Sequence, residues 1–215
     1  MKNSIVVLSF SVALCLSLFS SSSLASGITE KGLKIGLNVA NLHGDDVEDL
    51  EELINQNLKS KPGICFGGFL TYSINDLLAI QPEVLFTQKG AKAKNEDWEL
   101  SFNLSYLEIP VLAKIMLTTK GNIKPNLFAG PVLALKLSGN TRFEYDGDSE
   151  EEDIESGSID FGLIFGGGIN LELSKGKLML DVRYILGMSQ IGEWEDGEDI
   201  DMKNGVLSIM LGYSF

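Results

Sequence analysis

The chain is poor in cysteine, with two in 215 residues, Cys15 and Cys65. Cys15 lies inside an apolar leader, so Cys65 stands alone in the remainder and no intrachain disulfide can staple it. Histidine occurs once, at His43, and no G-x-S-x-G elbow is present, which leaves little for nucleophilic catalysis. Past the leader no apolar run reaches the roughly 18 residues that mark a membrane-spanning helix. Basic residues are scarce as well. Against 30 Asp and Glu there are 17 Lys and Arg, a formal net charge of −13, and nucleic acid needs a basic stripe that this chain lacks. These absences exclude a disulfide-stapled module, a helical membrane protein and a nucleic-acid binder.

What is present begins with the leader. Lys2 precedes an apolar run from Ile5 to Phe19, and small residues follow in SSSSLAS. Ser23 and Ala25 occupy the −3 and −1 positions of a cut after Ala25, the pattern of a secretory signal. The run is too short for a span, which needs about 20 residues. Residues 1–25 therefore read as a cleavable signal peptide and 26–215 as one exported β domain.

Within that domain, apolar and polar residues alternate in eight stretches. Leu33, Ile35, Leu37 and Val39 alternate with Lys34, Gly36 and Asn38. Leu178, Leu180, Val182, Tyr184 and Leu186 oppose Asp181 and Arg183, and the closing VLSIMLGYSF puts Leu207, Ile209, Leu211, Tyr213 and Phe215 on one face. Period two, repeated at this frequency, predicts an all-β sandwich or a barrel. The connections separate the two. Asn75-Asp76, TTKGNIK and SKGK are short, whereas 41–61, 89–97, 138–157 and 190–204 are longer, so long and short connections alternate in order. A transmembrane barrel sorts its connections in this way and a Greek-key sandwich does not. The expected fold is an eight-stranded antiparallel up-and-down barrel, with both termini and the short turns periplasmic and the long connections extracellular. An apolar final strand is then no exposed edge, because it pairs with the first strand, and hydrocarbon demands such closure. Leu211, Tyr213 and Phe215 read as a C-terminal signal for barrel-assembly machinery.

Five stretches carry a more specific likeness. IQPEVLFTQKGAK (80–92), SYLEIPVLAK (105–114), FAGPVLALKL (128–137), IDFGLIFGGGINL (159–171) and LDVRYILGM (180–188) resemble the PorT-like outer-membrane β-barrel family. The resemblance implies an eight-stranded barrel in a Gram-negative outer membrane. The family's namesake is an accessory of type IX protein secretion, and most members have no assigned activity. The implied partners are outer-membrane lipid and lipopolysaccharide, the assembly machinery during insertion, and components of a secretion system. The expected state is a monomer.

Eight strands enclose a lumen that side chains fill or that holds one small ligand. The inward phase contributes Lys34, Glu83, Glu108, Lys114, Lys136, Glu172, Asp181 and Arg183, a balanced set expected to pair inside a plugged barrel. The competing reading is a small-solute channel or binding barrel. Near Ser105-Tyr106 the apolar phase reverses: Trp98, Leu100, Phe102 and Leu104 point one way, Leu107 and Ile109 the other, which predicts a β-bulge. Twenty of the acids fall in 45–52, 144–155 and 193–201, and neither YDGDSEEED nor EDGEDID has EF-hand spacing, so they read as solvated loops. No metal and no cofactor is expected. Val47, Leu50, Leu53, Ile54 and Leu58 have near-helical spacing, which predicts a short helix on the barrel mouth. GGGIN at 166–170 lies within a strand and opens no helix, so it holds no phosphate; its glycines are expected to make room in the lumen. A lipid-modifying enzyme would depend on His43, and no serine stands at a recognisable spacing from it.

Overall fold

The computed structural model describes residues 29–43, 45–54, 58–95, 98–117, 119–145, 148–154, 159–189, 192–193, 199–200 and 203–215. The expected signal peptide lies outside them. In chain order the elements are β1 Glu30–His43, α1 Asp45–Ile54, β2 Lys59–Ser73, β3 Leu78–Lys89, β4 Ala91–Lys94, β5 Trp98–Met116 and β6 Ile123–Tyr145. They continue with β7 Asp148–Ile154, β8 Ile159–Glu172, β9 Lys177–Gly187, β10 Gly192–Glu193, β11 Asp199–Ile200 and β12 Lys203–Ser214.

Ten of these strands share one antiparallel sheet, against eight expected from the alternation, and β10 with β11 forms a separate ladder. The sheet closes on itself. β1 pairs with β12 from Gly32↔Ser214 to His43↔Lys203, and the circuit returns through β2, β3, β5, β6, β8 and β9. The two additional strands are continuations. β4 keeps the register of β3 against β5, Lys89↔Leu104 leading to Lys92↔Ser101, across Gly90. Gly90 has φ 144°, a conformation that side chains rarely adopt, and it marks the break between the two. β7 lies beyond β8 along β6, Leu135↔Ile159 giving way to Gly139↔Ile154 with a one-residue offset.

Alternation sends the two residue classes in the opposite directions from a water-soluble core. Leu37 is 68% exposed and Ile35 63%, with Leu127, Phe165, Ile209 and many other apolar residues also on the outer face. Lys34, Glu83, Glu108, Asp181 and Arg183 are buried within the lumen. Such a surface is stable in hydrocarbon, where the apolar band faces lipid and every backbone donor is satisfied by its neighbouring strand.

The connections are more ordered than the sequence suggests. DSEEEDI, read as part of a solvated loop, is strand β7, with Arg142 opposite Glu151 and Phe143 opposite Glu150. Backbone pairing does not depend on side-chain polarity, and charge on an edge strand discourages further pairing. The predicted helix forms as α1, and Val47 is buried with Leu42 and Ala91, packed by Leu58 and Phe102. Leu53 is 83% exposed and does not share that contact. At about 100° per residue it lies roughly 120° around the helix from Val47. The side chains of Leu50 and Ile54 lie outside the described residues.

The register does shift between Ser105 and Tyr106, but the phase reversal belongs to the partner strand. Ser105 faces Ser138 while Tyr106 faces Lys136, so Leu137 of β6 is the additional residue. Leu104, Tyr106 and Glu108 are all buried, and β5 never reverses there. Leu104 points inward and packs with Tyr106 and Ala134, next to Lys89 on the neighbouring strand.

Burial in lipid sets the first prediction. Ile209→Arg, in the middle of β12 on the outer face, should cost about 2–4 kcal/mol in a bilayer midplane. Urea unfolding in lipid vesicles measures it. A loss within about 0.5 kcal/mol, as for ordinary surface sites, would place this face in water.

Candidate functional site

Alternation along β1, β3 and β9 brings charged side chains to one level of the lumen. Glu83 of β3 is its centre. Lys34 donates to Glu83 Oε1 at 2.7 Å and to Asp181 Oδ2 at 2.6 Å. Arg183 donates to Glu83 through Nη1 at 2.7 Å and Nη2 at 3.3 Å, a two-pronged contact that fixes both planes. Its Nη2 also lies 3.8 Å from Asp181 Oδ2. Gln81 donates to Glu83 Oε1 at 2.6 Å. The polar groups rest on aromatic rings: the Lys34 ammonium stands 5.1 Å from the Phe69 ring centre, and Arg183 5.6 Å from that of Phe128.

Glycines make this level possible. A Cβ at Gly166 would come within 2.8 Å of the Phe128 ring, and one at Gly168 would collide with Asp181 Oδ1. The GGG of 166–168 thus admits the ring and the carboxylate of the charged level.

A second level lies towards the long connections. Lys89 Nζ is 2.6 Å from Glu108 Oε1, Thr87 donates to Glu108 Oε2 at 2.9 Å, and Lys89 stands 4.7 Å from the Tyr106 ring centre. Asn204 donates to the Tyr106 hydroxyl at 3.4 Å, and Asp160 and Lys136 are buried close by on neighbouring strands. Between the levels lies an apolar layer that includes Leu112, Val132, Ile164, Ile185 and Val206. Cys65 is buried against Leu85 and Met210 and serves as a small apolar residue.

Of the eight charged residues that the inward phase nominates, Lys34, Glu83, Glu108, Lys114, Lys136, Asp181 and Arg183 are buried in the lumen. They form two levels rather than one network. Glu172 does not join them. It ends β8 at the rim, its side chain 43% exposed and 4.0 Å from Lys177, because the strand leaves the enclosed section there. Lys89 and Asp160 belong to the lumen and were not on the inward list. Lys89 keeps phase with Gln81, Glu83 and Thr87, and Asp160 alternates with Ile159 and Phe161, so the alternation contained both.

At the C-terminal strand, Tyr213 donates to the Lys175 carbonyl at 2.7 Å, and the Phe215 amide donates to Lys31 at 3.0 Å. Leu211, Tyr213 and Phe215 all face outward. His43 ends β1 opposite Lys203, and its side chain lies outside the described residues. The described residues contain no cluster of three or more potential metal-ligating His, Cys, Asp and Glu side chains.

At the short-turn end the barrel opens into a cavity of about 540 Å³, framed by the β2–β3 turn and the adjoining strand ends.

Residues 25–193 match the family model described as outer membrane protein beta-barrel domain. Among solved structures, Neisserial surface protein A is similar at 18% identity, with 88% of this chain and 100% of that chain covered and a TM-score of 0.49. Ail, the attachment invasion locus protein of Yersinia pestis, is 16% identical, covering 86% of this chain and 98% of its own, with a TM-score of 0.41. The N-terminal beta-barrel domain of Pseudomonas aeruginosa OprF is 12% identical over 86% of this chain and 97% of its own, with a TM-score of 0.31. No curated protein sequence matches the chain.

Removing the charge of Glu83 leaves Lys34 and Arg183 to share one carboxylate, Asp181. Glu83→Gln should destabilise the barrel by about 3–5 kcal/mol, the cost of breaking a buried pair, as read by urea unfolding in lipid vesicles. Glu172→Gln, at the rim, should cost less than about 1 kcal/mol in the same assay.

Proposed function

We propose, for a chain that belongs to the outer membrane protein beta-barrel domain family, a sealed, non-enzymatic barrel that crosses the outer membrane on eight staves and serves as an envelope component. Eight is the number of strands in the closed circuit, with β4 and β7 counted as extensions of β3 and β8. The observation that carries the sealed reading is the bridge at Glu83, which joins β1, β3 and β9 across the lumen through Lys34 and Arg183. A narrow barrel crossed by side chains in contact leaves no continuous water column. The ion pairs also leave few free charges to select a permeant ion.

The reading places the short turns and both chain ends in the periplasm, and α1 with the β5–β6–β7 extension outside the cell. Lipid and lipopolysaccharide surround the apolar band, and the chain acts as a monomer inserted by the barrel-assembly machinery. Within the envelope, the PorT-like resemblance supports an accessory role in type IX protein secretion, exercised through the periplasmic turns. The non-enzymatic reading is supported by the lumen's charged groups, most of which are tied to one another by ion pairs and hydrogen bonds.

Planar-bilayer recording tests the seal: the purified protein should give no steady open level, and a stable ohmic conductance would overturn it. A deletion strain tests the secretion role. Secreted cargo should accumulate in the periplasm while the membrane stays intact, and unchanged secretion would remove that role.

A further inference from the structure

Charge at the central level does not balance. Lys34, Arg183 and Lys114 supply three cations, while Glu83 and Asp181 supply two carboxylates. Lys34 and Arg183 share both of those carboxylates. Lys114 is left over. Its side chain is buried at 2% exposure, and no carboxylate of the described residues approaches its Nζ within 4.0 Å. The ammonium donates to one amide oxygen, Gln81 Oε1 at 3.2 Å, and stands 5.6 Å from the Phe128 ring centre. A buried charge in this condition is costly unless something else compensates it.

Lys114 also lines the 540 Å³ cavity at the short-turn end. That volume lies in the range of small-molecule sites, about 300–1,000 Å³. Gln81, Thr71 and Asn170 line it beside the ammonium, and Asn170 Oδ1 already accepts from Asn126 at 3.3 Å, which leaves its amide nitrogen as a donor. The remaining wall includes Ala79, Met116, Leu117 and Met179, a surface for an apolar body. At the rim Glu30 binds Lys177 at 2.5 Å, and Asp76 and Glu172 face one further cation, Lys124, so three acids against two lysines leave a net negative charge that disfavours a multiply charged anion.

We infer that this cavity is a binding site for a small organic monocarboxylate, its carboxylate accepting from Lys114 and Asn170 and its short apolar body lying against Met116 and Met179. One surplus positive charge calls for one negative charge, and the apolar wall distinguishes an organic acid from a simple halide. The site opens at the short-turn end only, because the Glu83 bridge lies above it. The inference goes beyond the sealed-barrel reading and stands apart from the secretion role.

The methionines supply the probe. Full-length mature protein, labelled with ¹³C at the methionine methyls and folded in zwitterionic micelles, is titrated with sodium pentanoate. Sodium chloride at matched ionic strength is the control. Met116 and Met179 should shift saturably, while Met210, buried with Cys65 and Leu85, should not. Lys114→Leu should weaken the response roughly tenfold or more, as expected for loss of a buried charge partner. Heat-dependent gel mobility confirms that this variant is folded, and Lys114→Arg, which keeps the charge, should retain saturable binding. No saturable shift in the wild type, or an undiminished one in Lys114→Leu, would overturn the site. Equal saturation by inorganic phosphate would overturn the monocarboxylate assignment.

Discussion

The constraint on which the rest depends is that a backbone in hydrocarbon must satisfy its own hydrogen bonds. An open sheet cannot do this, because its first and last strands present rows of unpaired donors and acceptors. Pairing β1 with β12 over twelve positions removes both edges at once. The final strand can then be apolar on its outer face without inviting other chains to pair. Where the sheet extends past the lipid band the constraint lapses, and there β7 ends as an acidic edge bonded to one neighbour.

Closure with few strands has a second consequence, for the interior. The enclosed section is narrow, so side chains from opposite walls meet at its axis. Alternation has already sent the polar residues inward, since the apolar ones face lipid. Charged groups are thereby forced together in a space with little water, and opposite charges must contact one another. Glu83, held by both Lys34 and Arg183, is the result of that compression. Phe128 lies beneath two cations and needs the absence of a side chain at Gly166, so the packing of the plug reaches into the glycine-rich strand. The charged level, the apolar layer and the Lys89–Glu108 level together replace the uniform apolar core of a soluble domain.

Periodicity exposed the outward and inward phases because each residue in a strand needs only its own parity to find its face. Lys34, Glu83, Asp181 and Arg183 were legible for that reason. Errors arose where parity alone was insufficient. Leu104 is apolar yet points inward, where it packs with Tyr106 and Ala134 beside the Lys89–Glu108 level. The extra residue sits at Leu137 on β6, since an offset between two strands can be placed in either one and β5's sequence does not say which. The acidic 148–154 segment formed a strand because its backbone pairs with an already extended β6, a stabilisation that no local composition reports.

By itself the sequence determined the strand-forming stretches, their two faces, the order of short and long connections and the residue types inside. These follow from local alternation and from turn chemistry at sites such as Asn75, whose side chain accepts from the Leu77 and Leu78 amides at 2.9 Å. Only the tertiary structure decided which charges meet. Lys34 and Asp181 are 147 residues apart, and their contact depends on the register of β1 on β12 and of β12 on β9. The same registers leave Lys114 at a cavity floor with no carboxylate of the described residues within 4.0 Å, although the inward phase of the sequence holds four cations and four anions in balance. Charge balance along a chain is a sum over residues, whereas charge pairing is a matter of distances, and only closure of the sheet fixes those.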